Sequence, residues 1–143
     1  MIHDVSTDFD DPPPFVALRD IRMQCKNGVA YSGGARRHAN IEPKFFVQSR
    51  ETIFNAALAA ANALRWHIAA ALAAEGRIEA TATTRLMRFK DDVVIRIRAQ
   101  DDGSGTRLDI RSASRIGSSD FGANAKRIRA FLLDLNTHLK TNT

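Results

Sequence analysis

The chain has 143 residues, of which 44% are hydrophobic and 26% are charged, and its formal net charge is +5. A chain of this length fits one domain and buries about 70% of its unfolded surface, so it needs no disulfide or metal ion to fold. Its pI of about 10.0 permits nucleic acid, anionic lipid or an acidic ligand as a partner. No apolar run reaches the roughly 18–20 residues that span a bilayer and no secretory signal is present, so we expect a soluble chain.

The first segment, residues 1–14, is predicted to be extended, because the Pro12–Pro14 run excludes a helix there. Asp8, Asp10 and Asp11 stand just before the prolines. A calcium loop would need an ordered ligand spacing and a glycine that are absent from this segment. We therefore expect an acidic arm that packs against basic surface.

Residues 15–47 are predicted to be irregular, with Phe45–Val47 entering the core. A first helix then begins after Ser49, whose side chain is a typical N-cap. Helical propensity alone would carry this helix on to Ala74. Its apolar residues recur at helical spacing: Ile53, Ala57, Ala60, Ala61 and Leu64.

Period-two alternation of apolar and polar residues predicts three strands further along the chain, at residues 78–83, 93–99 and 107–111. Turn-forming residues separate them at Asp91-Asp92 and at residues 100–105. Alternating strands joined by short turns favour an antiparallel meander with one face on the core.

The last helix is predicted to begin at Ser119 or Asp120, since both residues are good N-caps. Residues 137–143 are expected to fray at its end. The apolar residues of this helix form one stripe, with Phe131 beside it: Ala125, Ile128, Leu132, Leu135 and Leu139.

Three phrases of the chain resemble a known family. They are Val5-Ser-Thr-Asp8 with Asp11-Pro-Pro13; Gly76-Arg-Ile-Glu-Ala80 with Phe89-Lys-Asp-Asp-Val-Val-Ile-Arg-Ile-Arg98; and Asp109-Ile-Arg-Ser-Ala-Ser-Arg-Ile-Gly117 with Ser119-Asp-Phe-Gly-Ala-Asn-Ala-Lys-Arg-Ile-Arg-Ala-Phe131. Together they are similar to the uncharacterised bacterial and plastid family catalogued as domain of unknown function fourteen ninety-nine. The resemblance covers nearly the whole chain and brings no established activity with it.

The resemblance also bears on element boundaries. Members of that family place a Gly-Trp pair at the opening of a strand after the first helix, and Arg65-Trp66 stands at that point here. The resemblance therefore implies that the helix ends near Leu64 or Arg65, that Trp66–Ala70 is a strand and that Ala71–Gly76 is a turn. Because similar proteins often carry membrane helices or a leader upstream, it also implies a domain of a membrane-tethered parent protein.

Together these observations predict one α+β domain over residues 1–143. Its order is helix, four-stranded antiparallel meander, helix, with both helices on one face of the sheet. Residues 1–14 form the extended arm, residues 15–47 are irregular and residues 48–140 form the core.

Acids and arginines on the polar face of the predicted sheet, with the Gly/Ser loop that follows it, form the strongest functional pattern. Adjacent strands place such side chains about 5 Å apart, so they can form a structural charge ladder, in which an exposed pair contributes about 0–1 kcal/mol. Alternatively, the arginines hold an anion by forked hydrogen bonds, beside N–H groups at a helix N-terminus. The candidate ligand-binding residues are Arg96, Arg98, Arg111, Ser114, Arg115, Ser118, Ser119, Asn124 and Arg127.

No residue set specifies a reaction, and neither a metal nor a cofactor is expected. The loop serines have no histidine within their phrase to act as a base. Asp91-Asp92 could act as paired carboxylates, but turn chemistry explains them adequately. A zinc site would have to assemble from histidines that stand singly: His3, His38, His67 and His138.

The leading hypothesis is a non-enzymatic binding or scaffold module of a bacterial envelope system, which recognises an anionic ligand, a lipid head group or an acidic partner protein. Two alternatives stay open. An enzyme acting on an anionic small substrate would need a deep pocket where carboxylates and arginines converge. A nucleic-acid-binding protein would lose affinity steeply with salt, and it is disfavoured because Phe121 is the only aromatic residue near the loop.

Overall fold

A computed structural model describes residues 2–31, 40–117, 120 and 122–141 of the chain. Within these ranges the chain forms one six-stranded sheet whose paired neighbours are all antiparallel, in the order β1-β6-β5-β4-β3, with β2 paired to β6 beside β1. The strands are β1 (Asp4–Ser6), β2 (Lys44–Phe46), β3 (His67–Leu72), β4 (Arg77–Thr83), β5 (Lys90–Ala99) and β6 (Thr106–Ser114).

The four strands from β3 to β6 follow one another both along the chain and across the sheet. In β4, β5 and β6 the residues on the core face are apolar and fully buried: Ile78 lies opposite Ile95, which lies opposite Ile110. The alternation in the sequence therefore predicted the core-facing residues of β4, β5 and β6 correctly. The α+β class is confirmed.

Two long helices cover this apolar face. The first, α2 (Arg50–Ala63), contacts the second, α3 (Ala123–Thr141), and both share one apolar cluster with the strands. The predicted stripe of α3, with Phe131 beside it, is buried in that cluster. At one end of it the Trp66 ring stacks on the Phe131 ring, with centroids 5.6 Å apart.

Side chains cap the N-terminus of each long helix. Ser49 Oγ accepts a hydrogen bond from the Thr52 amide at 3.2 Å. The Asp120 carboxylate accepts hydrogen bonds from two amides before and in α3, one of them that of Asn124 at 3.2 Å. The cap predicted at Ser49 is thereby confirmed. The predicted start of the last helix at Asp120 is three residues too early, since α3 begins at Ala123 and Asp120 binds its first turn from outside the helix. The alternative start, Ser119, lies outside the described residues.

The opposite face of the sheet is covered by the N-terminal part of the chain. It contains a short helix, α1 (Arg19–Met23), and its Phe15 and Leu18 form a small apolar cluster with Val94 and Ala113. The segment predicted to be irregular, residues 15–47, therefore contains one short helix. A single helical turn is too short to show a hydrophobic period, so no local pattern predicted it.

Glu79 on β4 holds the segment before α1 against the sheet. Its buried carboxylate accepts backbone hydrogen bonds from Val16 at 2.9 Å, Ala17 at 2.7 Å and Leu18 at 3.1 Å. Arg77 Nε donates to the same carboxylate at 3.0 Å. The three backbone hydrogen bonds join Glu79 to residues more than 60 positions away in the sequence. The position of α1 therefore depends on the sheet.

The region before α2 also departs from expectation, because it contains β2. Phe46 packs against the core, but Phe45 is exposed and Val47 is 87% exposed. The prediction that Phe45–Val47 enter the core together is wrong. Successive side chains of a strand point to opposite faces, so Phe45 points away from the core when Phe46 packs against it.

The connections on either side of β4 differ from prediction as well. Strand β3 ends at Leu72 rather than Ala70, and a 3₁₀ helix over Ala73–Glu75 makes the turn. Asp91 and Asp92 were predicted to form a turn but lie within β5, paired with β4. The turn that joins these strands is instead the β4–β5 loop, residues 84–89.

Candidate functional site

The predicted face of acids and arginines is covered by the N-terminal segment. Arg111 is only 3% exposed. Its guanidinium donates to both carboxylate oxygens of Asp4, at 3.0 and 2.8 Å, and to the carbonyl oxygens of Pro13 and Val29, at 3.0 and 3.1 Å. These four hydrogen bonds occupy the Arg111 guanidinium, so it is not available to a ligand.

A second buried cluster centres on the Asp92 carboxylate. Arg22, the buried residue of α1, donates to it at 3.1 Å, and Arg115 donates to its two oxygens at 3.0 Å each. Thr81 Oγ1 adds a hydrogen bond of 2.8 Å. The hydrogen bond with Asp92 raises the pKa of Arg115 above its usual value, so Arg115 stays charged.

The acidic arm packs against basic surface, as predicted. Asp8 accepts hydrogen bonds from Arg96 at 3.1 Å and Arg107 at 3.0 Å. Arg107 also donates to the buried Asp109 at 2.7 Å. Arg98 is more exposed and lies 4.0 Å from Asp8 and 3.8 Å from Asp109.

Asn124 fastens α3 to β6. Ser112 Oγ donates to its amide oxygen at 2.7 Å, and its amide nitrogen donates to Ser114 Oγ at 2.9 Å. Arg127 donates to the same amide oxygen at 2.9 Å and pairs with the buried Asp91 carboxylate at 2.8 Å. Ser114 and Asn124 thus act here as structural contacts.

The seven candidate ligand-binding residues that the structure describes do not converge on one opening. Ser114 and Asn124 are buried, and Ser118 and Ser119 lie outside the described residues. The remaining candidates all lie in ion pairs with carboxylates: Arg96, Arg98, Arg111, Arg115 and Arg127.

An open pocket of about 900 Å³ lies at the end of the sheet where β3 begins and β4 ends. Its walls come from residues 64–67, from the end of β4 with the β4–β5 loop, and from α3. None of its described lining residues is Asp or Glu. We call it the cationic pocket because its lining contains Arg65, His67, Arg85, Arg88 and Arg127.

Three arginines of the cationic pocket have no partner for their charge among the described residues. Throughout the described part of the chain, no side-chain hydrogen bond or ion pair involves the guanidinium groups of Arg65, Arg85 or Arg88. All three residues are exposed. Uncompensated charges of one sign in a cleft raise the local potential and attract counter-ions, so this pocket favours anions.

Two of these arginines also have an unfavourable backbone conformation. The φ angle is +63° at Arg65, which follows the C-cap of α2, and +57° at Arg88, in the β4–β5 loop. This left-handed conformation costs a residue with a Cβ roughly 1–2 kcal/mol, and glycine is the usual residue after a helix C-cap. Both arginines therefore stand where glycine would suit the backbone better.

A smaller cavity of about 110 Å³ lies beside the β4–β5 loop and contains Asp91, Ser114 and Asp120 in its lining. Burial raises the pKa of the Asp91 carboxyl above its usual 3.8, although Arg127 beside it acts in the opposite direction. The nearby charge of Asp120 adds to the rise.

A family model described as "Protein of unknown function (DUF1499)" matches residues 4–135. The chain belongs to this family. The DUF1499 match starts at the first residue of β1 and ends within α3, so it includes the buried ion pairs and the cationic pocket. The family resemblance drawn from the three sequence phrases is thereby confirmed.

Neither curated relatives nor a membrane-spanning helix nor a metal cluster indicates a function for the described part of the chain. The search of curated proteins found no match to the DUF1499 chain. In the portion that the structure describes, no helix has the length and apolar character needed to cross a membrane. In that same portion, no group of three or more His, Cys, Asp or Glu residues is placed to hold a metal ion.

Sequence reasoning did not assign Arg65, His67, Arg85 or Arg88 to a site. One available signal was the stretch of residues 84–90, which contains three cations and no acid. Another was arginine at the position after the first helix, where the family resemblance implied glycine. No local pattern indicated that these side chains meet in one pocket, because the pocket is lined by segments that are distant in the sequence.

Proposed function

We propose that this protein is a non-enzymatic module that binds an anionic ligand in the cationic pocket. The observation that carries the proposal is the set of guanidinium groups of Arg65, Arg85 and Arg88, which face a pocket without acidic lining and have no carboxylate partner among the described residues. Guanidinium groups form paired, charge-assisted hydrogen bonds with phosphate and carboxylate. A ligand carrying either group supplies the missing counter-charge.

The cationic pocket suits this role better than the covered arginine face does. An anion at Arg111 or Arg115 would have to displace Asp4 or Asp92 from a buried ion pair. Breaking a buried pair costs about 3–5 kcal/mol. Arg127 can take part in the pocket while Asp91 remains its buried partner.

Trp66 forms part of the pocket wall, and its ring is held in place by stacking on the Phe131 ring. The backbone amide of Trp66 also donates to the Ala61 carbonyl at 3.1 Å, which closes the end of α2. Arg65 is therefore held by backbone contacts on both sides, since its own amide donates to Asn62 at 2.9 Å. A site held on rigid elements loses less entropy when it binds.

The test is an NMR titration of the ¹⁵N-labelled protein with inorganic phosphate. We compare the parent protein with an Arg65→Gly/Arg88→Gly variant and with a control, Arg19→Ala, which removes one charge from α1 on the opposite face. We expect shifts centred on the pocket for the parent and the control, and at least about tenfold weaker binding for the double variant. Equal binding by the double variant, or shifts centred elsewhere, would contradict the proposal.

An enzyme acting on an anionic small substrate is the second candidate. One observation favours it: Asp91 is buried, its pKa is raised and it lines a cavity next to the cationic pocket. Carboxyls with perturbed pKa values in cavities are candidates for proton donors. Hydrolysis of 4-nitrophenyl phosphate by the parent protein, lost in Asp91→Asn while phosphate binding persists, would favour the enzyme over the binding module.

A further inference from the structure

The β4–β5 loop presents apolar side chains to solvent. Leu86 is 89% exposed and Met87 is 63% exposed, and Phe89 is exposed beside them. Burying such side chains is favourable wherever a water-free environment is offered. Contact with a partner that buries these side chains would therefore lower the free energy of the system.

Thr84 fixes the shape of this loop. Its amide donates to the Phe89 carbonyl at 2.8 Å, and its carbonyl accepts from the Arg88 amide at 3.1 Å. Its hydroxyl accepts from the Phe89 amide at 2.8 Å. Three hydrogen bonds thus close the loop at its base, so Leu86 and Met87 are held at the tip.

Cations flank the apolar tip on both sides. Residues 84–90 include Arg85, Arg88 and Lys90 and contain no Asp or Glu. Arg85 and Arg88 also line the cationic pocket, so the tip and the pocket share one side of the molecule. This pattern differs from that around α1, where the exposed Ile21 and Met23 are interspersed with acid and base.

We propose, on the basis of the anion-binding function above, that the β4–β5 loop docks on an anionic lipid bilayer. Leu86 and Met87 enter the boundary between head groups and acyl chains, and a lipid phosphate occupies the cationic pocket. Surface binding of this kind combines apolar burial with attraction between basic residues and anionic lipid. The ligand class of the pocket is then a phosphate-bearing lipid head group.

The charge pattern favours a bilayer over a protein partner. Here two aliphatic side chains project at the tip of a narrow loop, with arginines immediately beside both. Basic side chains placed next to apolar ones suit a membrane surface, because their heads reach the phosphates while their stems lie along apolar groups.

Co-sedimentation with vesicles tests the proposal. One vesicle set is an equal mixture of phosphatidylglycerol and phosphatidylcholine, and the other is phosphatidylcholine alone. The test variant is Leu86→Ser/Met87→Ser, which removes apolar surface without changing charge. The control is Val47→Ser, whose residue is as exposed as Leu86 but lies beside Gly105 in the β5–β6 turn, at the other end of the sheet.

We expect the parent protein and Val47→Ser to bind the anionic vesicles and to leave the neutral ones. The Leu86→Ser/Met87→Ser variant should bind anionic vesicles at least about tenfold more weakly and bind inorganic phosphate as the parent does. Arg65→Gly/Arg88→Gly should lose about fivefold for each charge removed. This pattern would support docking through the loop with a head group in the pocket.

Several results would overturn the proposal. If the parent protein binds inorganic phosphate but no vesicle, membrane docking is wrong and the anion-binding function stands, with a free anion or a protein as its ligand. If it binds neither, both proposals are wrong. Equal binding of anionic vesicles by the Leu86→Ser/Met87→Ser variant would show that the loop does not dock.

Discussion

Arg65 and Arg88 line the same pocket from two different turns, and both have a left-handed backbone conformation. Arg65 follows the C-cap of α2, and Arg88 lies in the β4–β5 loop. A guanidinium at these positions contributes charge to the pocket, whereas glycine would suit the backbone better. Stability and ligand binding should therefore respond in opposite directions to the same substitution.

Replacing either arginine by glycine should stabilise the fold. We expect Arg65→Gly and Arg88→Gly each to raise the free energy of unfolding by about 0.5–1 kcal/mol, since relief of the left-handed conformation exceeds the entropy that glycine adds to the unfolded chain. Urea denaturation measures the change. A loss of stability in both variants would show that the side chains make stabilising contacts.

Removing Arg111 should be costly. In Arg111→Met the Asp4 carboxylate, 1% exposed, becomes an unpaired buried charge, so unfolding should become easier by about 3–5 kcal/mol. Adding Asp4→Leu should recover part of that loss, with the carbonyls of Pro13 and Val29 still lacking a donor. Urea denaturation of both variants checks this, and a loss below about 1 kcal/mol in Arg111→Met would contradict a buried pair.

Glu79→Gln should loosen the N-terminal segment more than the sheet. The carboxylate accepts from Val16, Ala17 and Leu18 with two oxygens, whereas an amide has one oxygen and an N–H₂ group that would face those donors. Hydrogen bonds to a charged group contribute about 1.5–3 kcal/mol, so exchange of these three amides should accelerate at least about tenfold. Hydrogen exchange measured by NMR should show β5 amides unchanged; equal acceleration throughout would indicate global destabilisation instead.

Asp91 should make stability fall as pH rises. Burial raises its pKa in the folded state above its usual 3.8, so above pH 3.8 the unfolded chain releases the proton before the folded chain does, and unfolding becomes more favourable. The contribution is complete below 3.8 and is lost as pH passes the folded-state pKa. Urea denaturation of the parent and Asp91→Asn between pH 3.5 and 7 isolates the effect, and a parent protein that gains stability relative to the variant with rising pH would refute it.

The sheet and its apolar core were predictable because their signals are local. Alternation through Ile78–Ala82 and Val93–Ile97 follows directly from the pleat of a strand, and the stripe of α3 follows from the helical period. By contrast, β1, β2 and α1 have three to five residues each, which is too few to show a period. Distant contacts place them, such as the one from Glu79.

The sequence predicted which charged residues lie on the covered face, but not whether they bind a ligand or form structural ion pairs. The sequence placed Arg111 and Asp109 on the polar side of a strand, and both lie there. Whether such a face binds a ligand or is buried depends on what covers it, and here the N-terminal segment does so through the Asp4–Arg111 pair. Similarly, the pair Asp91-Asp92 is typical of a turn in sequence, but ion pairs with Arg127 and Arg22 allow both residues to lie within a strand.

The most direct test of the cationic pocket is the shift in Tm that inorganic phosphate produces in the parent protein and in Arg65→Gly/Arg88→Gly. A ligand that binds only the folded state raises Tm by mass action. We predict that the double variant melts at a higher temperature than the parent without ligand, and that phosphate raises the Tm of the parent alone. Equal phosphate-induced shifts in the two proteins would contradict the assignment of this pocket as the anion site.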